Sequence, residues 1–209
     1  MWPLVKVAQY LNTLGPQKLT LNFSDGQRKD DGIIVLNTQK QQIQFVLAID
    51  GHQEDIRMEH LMKHKHAPAV QDLKWQGSKK NRTLLEQETS AINVDEILKK
   101  LESLLEIALR KKIKTDYKGM WLGIVFDDYL LSSSEKSHQK IKAICGQLIR
   151  KKSSQIKNIY SKVFFVGLRE QGHFIQHYDL ANQLDTLLNK CKHIKKQFSE
   201  IIKGIFGFS

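Results

Sequence analysis

The segment that most constrains the fold is Met120–Phe126, a run that is almost wholly apolar. A strand with one exposed face alternates apolar and polar residues. A continuous apolar run predicts instead a central strand that is buried on both faces. Ile33–Leu36 and Val163–Val166 have the same character. The chain therefore has to place helices on both sides of a sheet that contains these segments.

Helical spacing of apolar residues supplies those covering layers. The stripes predict helices at Pro3–Leu14, 54–65, Asn93–Lys114, 136–152 and from Asn182 onward. Asn93–Lys114 is the clearest of these. It begins with a capping-box pattern and ends in basic residues that complement the helix dipole.

Three further features complete the predicted sheet. Leu19–Phe23 and Ile43–Ile49 alternate in polarity, so with Ile33–Leu36 they predict a three-strand meander after the first helix. Phe174–Tyr178 is expected to pair with Val163–Val166. The sequence thus predicts an α/β (α+β) protein, a single mixed β-sheet flanked by helices. We expect one domain over 1–209, with a core at about 4–128 and a C-terminal α/β extension at about 129–209.

Charge gives the first indication of function. The 209 residues include 33 Lys and Arg against 22 Asp and Glu, a formal net charge of +11. Residues 1–62 hold 6 bases and 7 acids, so the excess of bases falls in the rest of the chain. This balance favours an acidic partner, with DNA or RNA ahead of a membrane.

The same sequence disfavours other locations. It contains no apolar run of transmembrane length and no signal-peptide pattern at its start. Its two cysteines, Cys145 and Cys191, fall in helical stripes and are expected to be reduced, buried thiols. We therefore expect a cytoplasmic protein.

The order of a helix, a three-strand meander, a long helix and a buried strand resembles that of the PD-(D/E)XK nuclease-like (restriction-endonuclease-like) superfamily. Asp31-Gly32, just before the second strand, is similar to the Asp-Gly pair of that superfamily. Gln44-Phe45-Val46 occupies the place of its Glu-x-Lys motif. Residues two apart on a strand share a face, so such side chains can point together at the Asp.

The resemblance implies a Mg²⁺-dependent phosphodiesterase in which Asp31 is the first metal ligand. This sequence departs from the motif, because Gln44 offers a neutral oxygen and Val46 offers none. Asp50 or Glu59 is a candidate to complete the set of catalytic and metal-binding carboxylates, and Lys63 or Lys65 a candidate replacement for the lysine. The alternative is a catalytically inactive version of the fold that binds nucleic acid or a protein, in the manner of an immunity protein or antitoxin.

A basic hairpin is expected within 70–87, as an insertion in this core. Its strands would flank Gly77-Ser78-Lys79-Lys80. Lysine and arginine neutralise phosphates and tryptophan stacks on bases, which makes the hairpin a candidate nucleic-acid-binding element. The candidate residues are Lys74, Trp75, Lys79, Lys80 and Arg82.

Two other groups of candidate residues each allow two interpretations. His60 and His64 have the spacing that places both imidazoles on one helix face, as in a transition-metal site, although a solvated helix face is the simpler interpretation. Asp127-Asp128 follows a buried strand, where an aspartate could bind a metal or cap a turn. The apolar end Ile205–Phe208 is a candidate to dock on its own core or on a second copy in a homodimer.

Overall fold

The structure, a computed structural model, describes the chain at 3–15, 18–24, 30–64, 74–76, 83–85, 93–113, 117–128, 131, 135–168 and 174–180. The helices are α1 (Pro3–Thr13), α2 (Gly51–His64), α3 (Val94–Ile113) and α4 (Glu135–Ile156). The strands are β1 (Leu19–Phe23), β2 (Gly32–Leu36), β3 (Gln39–Ala48), β4 (Lys74–Gln76), β5 (Thr83–Leu85), β6 (Met120–Phe126), β7 (Tyr160–Gly167) and β8 (Ile175–Asp179).

The described strands form a six-stranded mixed sheet in the order β1-β2-β3-β6-β7-β8. The first three strands are an antiparallel meander. β3, β6 and β7 then run parallel, and β8 returns antiparallel to β7. The predicted α/β class with one mixed sheet flanked by helices is confirmed. The strands β4 and β5 pair apart from this sheet, as the predicted hairpin requires.

Helices cover the two faces of the sheet. On one face, Leu4, Val7 and Leu11 of α1 pack with Ile34 and Ile43 of the meander. On the other face, the apolar stripes of α3 and α4 bury the opposite side of β6 and β7. Because β6 faces both layers, Leu122, Ile124, Val125 and Phe126 have no exposed surface, which explains the continuous apolar run.

The helices α3 and α4 lie side by side and point the same way. Lys140 of α4 binds Asp95 near the start of α3 (Nζ to Oδ1 2.9 Å), and Lys151 binds Glu106 farther along both helices (Nζ to Oε2 3.2 Å). Each helix connects two parallel strands, so it returns antiparallel to them. The C-termini of α3 and α4 therefore lie at the amino ends of β6 and β7.

One sequence expectation is wrong at the end of β3. The strand ends at Ala48, and Asp50 does not continue it. The backbone carbonyl of Asp50 accepts the Glu54 N–H (3.0 Å) and its carboxylate accepts the Gln53 N–H (3.4 Å), so Asp50 caps α2. The helix begins at Gly51 rather than near residue 54. The predicted helix from Asn182, Cys191 and the apolar end Ile205–Phe208 lie outside the described residues.

The structure bears on two further expectations, a buried thiol at Cys145 and the lack of a membrane-spanning helix. Cys145 is fully buried, and burial raises the pKa of its thiol far above the ordinary value, so it is inert at neutral pH. Across the described ranges, none of the helices combines the length and apolar character needed to cross a bilayer.

A close approach between Phe45 of β3 and Gly123 of β6 generates a stability prediction. The two residues are paired in register, and a Cβ built on Gly123 would overlap the Phe45 ring. We expect Gly123→Ala to lower the free energy of unfolding by about 1–3 kcal/mol, because the ring has to leave its packed position. Urea denaturation followed by circular dichroism measures this loss.

The control is Gly51→Ala at the start of α2, where an added Cβ meets no atom within 4 Å. This variant should keep or slightly raise the free energy of unfolding, since alanine favours helix. Equal losses in the two variants would contradict the close-packing explanation.

Candidate functional site

The first candidate position lies where β2 begins. The register of β2 and β3 pairs Gly32 with Ile43, so its continuation places Asp31 opposite Gln44. The Asp31 N–H also donates to the Ile43 carbonyl (3.0 Å). Asp31 and Gln44 are therefore neighbours across the β2–β3 pair.

The carboxylate of Asp31 has a structural partner in this position. Continuing the register would pair Phe45 with Asp30, but β2 begins only at Gly32. The side-chain Oδ2 of Asp31 accepts the Phe45 N–H instead. The carboxylate thus replaces a missing backbone acceptor at the end of the ladder, while the residue as a whole is exposed.

The neighbouring Asp30 is the buried acid at this point, with 2% of its surface exposed. Its Oδ1 accepts a hydrogen bond from the Ser24 hydroxyl (2.8 Å), and its Oδ2 accepts one from Gln42 Nε2 (3.0 Å). These bonds join the end of β1 to β2 and β3. Asp30 therefore satisfies local polar groups, and no pattern in the sequence marks it as more buried than Asp31.

The residues in the place of Glu-x-Lys do not face an open cleft. Gln44 is buried, and no hydrogen bond from a described donor reaches its Oε1. Val46, on the same face, packs against the core covered by α3 and α4. A lysine at this place would have to bury its ammonium among apolar side chains, at a cost that valine avoids.

The structure does not bring Asp50 to this position. Strand residues advance about 3.3 Å each, so the end of β3 at Ala48 lies ~13 Å beyond Gln44. Asp50 follows that end, where its Oδ2 lies 3.4 Å from the Lys100 Nζ of α3. It is a helix cap and an ion-pair partner at the far end of the strand.

Glu59, the candidate carboxylate on α2, has a contact within its own helix. The Glu59 carboxylate lies 2.9 Å from the Lys63 Nζ, a pair spaced four residues apart. His60 is buried, with 9% of its surface exposed, and His64 ends the helix. Over the ranges that the structure describes, no three His, Cys, Asp or Glu side chains are grouped so that they could hold a metal ion.

The described residues therefore do not fit Mg²⁺ at the position that the resemblance indicates. Mg²⁺ prefers oxygen ligands in octahedral geometry, with carboxylates supplying the charge. Here Asp31 already accepts a backbone N–H, and Gln44 brings no charge. Asp50 and Glu59, the candidate second ligands, have other partners. Asp31, Gln44, Asp50 and Glu59 do not form one site.

A pocket of about 280 Å³ lies instead at the carboxyl ends of the parallel strands. It opens between the end of β3, the residues after β6 and β7, the start of α2 and one side of α3. Its charged lining consists of Asp50, Glu54, Lys100 and Asp127. Asp127 thus lies where an open α/β sheet typically holds a ligand.

Beside this pocket, two buried charged residues meet at Gly167, the last residue of β7. Lys6 of α1 is fully buried, and its ammonium donates to the Gly167 carbonyl (2.8 Å). Asp128 is 3% exposed, and its carboxylate occupies the space that a Cβ on Gly167 would need. Lys6 thereby ties α1 to the end of a strand that lies far away in the sequence.

The opposite edge of the sheet, where β6 and β7 begin, is basic. The connection from α3 to β6 contacts the connection from α4 to β7, because the Gly119 N–H donates to Ile159 (2.8 Å) and the Tyr160 hydroxyl to the Lys112 carbonyl (3.4 Å). We call the bases on these two connections and helix ends the basic end. Its members are Arg110, Lys111, Lys112, Lys118, Lys151, Lys152 and Lys157.

Most of these bases reach solvent. Arg110, Lys111, Lys118, Lys151 and Lys157 are exposed. Lys151 and Lys152 share the Glu106 carboxylate. The pKa of Glu106 lies below the usual range, mainly because Lys151 donates a hydrogen bond to it. Two ammonium groups on one carboxylate leave positive charge. The C-terminal dipole of α3 stabilises the bases of its last turn, whereas the last turn of α4 holds no base.

The predicted hairpin residues are only partly described. Lys74 and Trp75 lie on β4, which pairs with β5. Lys79, Lys80 and Arg82 lie outside the described residues. Their role in nucleic-acid binding stays a prediction.

Some of these positions escaped sequence reasoning. The basic end was missed because its two halves lie far apart along the chain. Its sequence signal is Arg110-Lys111-Lys112 in the last turn of α3 and Arg150-Lys151-Lys152 in α4, which continues to Ile156 beyond the end expected at residue 152. Each of these helices precedes a buried strand. Parallel pairing of those strands places both helix ends together. Nothing in the spacing of α1 marked Lys6 as buried.

Comparisons with known proteins assign no family to this chain. A scan against protein-family models and searches of curated proteins and of solved structures find no match to this chain.

The contact of Asp31 predicts a structural role for its carboxylate. Asp31→Ala should lower the free energy of unfolding by about 0.5–1.5 kcal/mol, because the Phe45 N–H loses its acceptor. Asp31→Asn keeps an acceptor oxygen and should lose less. Thermal and urea unfolding of the three proteins measure the difference, and an unchanged stability in Asp31→Ala would contradict this role.

Proposed function

We propose that the protein binds nucleic acid through the basic end, and that it does not use Asp31 to cut nucleic acid with a metal ion. The observation that carries this proposal is the convergence, at one edge of the sheet, of bases from the last turn of α3, from the C-terminal half of α4 and from the two connections that follow these helices. The partner has to be a polyanion, since an isolated acidic group would not need cations spread over two connections.

Nucleic acid fits this surface by charge and spacing. A phosphate backbone presents regularly spaced negative charges, and lysine and arginine side chains contact it without reading sequence. The bases of α3 and α4 project from rigid helices that are held together through Glu106. The whole-chain charge of +11 would also steer a polyanion toward the protein.

The resemblance to the PD-(D/E)XK superfamily supports a nucleic-acid partner. The order α1-β1-β2-β3, then α3 and β6, is the order that the resemblance uses. Asp31 also lies opposite Gln44 across the β2–β3 pair. In this proposal the nuclease-like core is retained, and its metal-binding position is filled by neutral and apolar side chains.

The chemistry of that position favours binding over cleavage. Metal-assisted hydrolysis needs anionic ligands to hold the ion, and those ligands must share an open pocket with the phosphate. Gln44 and Val46 are packed toward the core, and the Asp31 carboxylate caps a strand. The candidate hairpin at Lys74 and Trp75 would add contacts to the nucleic acid, but the proposal does not depend on it.

Salt dependence tests the phosphate contacts. For a labelled single-stranded or duplex oligonucleotide, fluorescence anisotropy should show affinity falling steeply between about 50 and 200 mM salt. Replacing Lys111 and Lys157 by alanine should weaken binding and reduce the slope of log K against log salt by about 1.4–1.8, if each contacts one phosphate.

The matched control is Lys99→Ala with Lys136→Ala. These exposed lysines lie on the same two helices, but near their N-terminal ends. The control should keep the slope of the unchanged protein. If both double variants lose the same affinity and slope, the basic end is not the binding surface.

Cleavage is tested separately with the same oligonucleotides and millimolar Mg²⁺ or Mn²⁺. We expect intact substrate on denaturing gels, because the described carboxylates do not form a metal site. Binding by Asp31→Ala should equal that of the unchanged protein. Metal-dependent cleavage that disappears in Asp31→Ala would refute the inactive form and identify Asp31 as a ligand.

A further inference from the structure

The pocket at the carboxyl ends of β3 and β6 is a second site, separate from the basic end. Its volume, about 280 Å³, is near the lower limit of roughly 300 Å³ that is typical of small-molecule sites. The pocket has walls from β3, α2, α3 and the residues after β6 and β7. It therefore lies where parallel strands expose their carboxyl ends, which is the common ligand position in open α/β sheets.

Apolar side chains form much of the wall, and some of them are exposed. Leu101 and Leu104 of α3 contribute one side. Leu47 and Leu168 contribute the rim, where they are 53% and 38% exposed. Large apolar side chains exposed around a concavity favour a ligand with a hydrocarbon part, because binding removes their surface from water.

The charge of the lining is opposite to that of the chain. Asp50, Glu54 and Asp127 carry three carboxylates, and Lys100 is the cation among the lining residues. The Lys100 Nζ lies 3.4 Å from the Asp50 Oδ2, and the two side chains are 40% and 35% exposed. Three acids and one base give the pocket a formal charge of −2 in a protein whose charge is +11.

From this combination we infer that the pocket binds a small organic amine, a ligand with an ammonium group on an aliphatic body. The hydrocarbon part lies against Leu101, Leu104 and Leu168. The ammonium group lies on the side of Asp127 and Glu54, where the negative charge stabilises it. A phosphorylated or carboxylated ligand of the same size is disfavoured by the same carboxylates.

Three probes with the same hydrocarbon body test the charge preference. Hexylamine, hexanol and hexanoate are titrated separately into the isotopically labelled protein, and binding is followed by amide chemical shifts. Hexylamine should bind more tightly than hexanol, and hexanoate should bind most weakly. The shifts should centre on the end of β3 and on Leu168. Equal affinity for the three probes, or hexylamine shifts centred elsewhere, would overturn the inference.

Charge-removing variants locate the ammonium group. Asp127→Asn should weaken hexylamine binding about two- to fivefold, as expected for a partly screened charge pair, and should leave hexanol unchanged. Glu54→Gln combined with Asp127→Asn should have a larger effect. Glu102→Gln is the control, because this exposed glutamate lies on α3 but does not line the pocket. An equal loss in Glu102→Gln would overturn the assignment.

A steric variant tests the hydrocarbon part without disturbing the core. Leu168→Trp at the exposed rim should abolish hexylamine binding by filling the mouth. Ile107→Trp, at a similarly exposed position (37%) outside the pocket, should not. Full hexylamine affinity in Leu168→Trp would overturn the proposal. Binding of the amine should be unchanged in the Lys111→Ala, Lys157→Ala protein, since this pocket does not rest on nucleic-acid binding.

Discussion

The parallel pairing of β3 with β6 and of β6 with β7 is the constraint on which the rest of the structure depends. Parallel strands need crossover connections, and here the two described crossovers contain α3 and α4 on one face. The two ends of the parallel strands therefore differ. We call them the carboxyl edge, where the parallel strands end, and the amino edge, where β6 and β7 begin and the C-termini of α3 and α4 lie.

This polarity separates the charges of the molecule. The dipole of α3 stabilises the bases of its last turn at the amino edge of β6 and β7, and the C-terminal half of α4 and the two connections add further bases there. Asp50 and Asp127 follow strands and line the pocket at the carboxyl edge, where Asp50 also caps α2. A chain that is basic on average thus presents a basic surface at one edge and an acidic, partly apolar pocket at the other.

Burial of Lys6 shows how the same arrangement fixes the outer layer. An ammonium group loses its hydration on burial, so it needs a strong acceptor. The Gly167 carbonyl supplies one at the end of β7, beside the buried Asp128 carboxylate. This contact anchors α1 over the strand ends in addition to its apolar stripe, and it makes the position of α1 depend on the carboxyl edge.

The helices and strands could be predicted from the sequence because the periodicity that marks them is local. Continuous apolar runs predict β6 and β7, alternation predicts β1 and most of β3, and helical stripes predict α1, α3 and α4. The candidate sites depend on which residues meet across elements, and local periodicity does not determine that. Alternation predicts that Asp50 continues β3, but a carboxylate that can cap a helix also suits a helix start, and in the structure Asp50 caps α2. The resemblance predicts Asp31 as a metal ligand, but β2 begins only at Gly32, so the Asp31 carboxylate accepts the Phe45 N–H in place of a backbone carbonyl.

The packing of Gln44 and Val46 explains why neutral side chains are stable at this position. Both residues lie on the strand face that α3 and α4 cover. Charged residues there would have to be compensated by a metal ion or by each other, since an unpaired buried charge is strongly destabilising. Neutral side chains remove that requirement, so the core can close over the strand and its stability no longer depends on an ion. The positive charge of the protein is then concentrated at the surface of the amino edge, where solvation makes it inexpensive and where a polyanion can reach it.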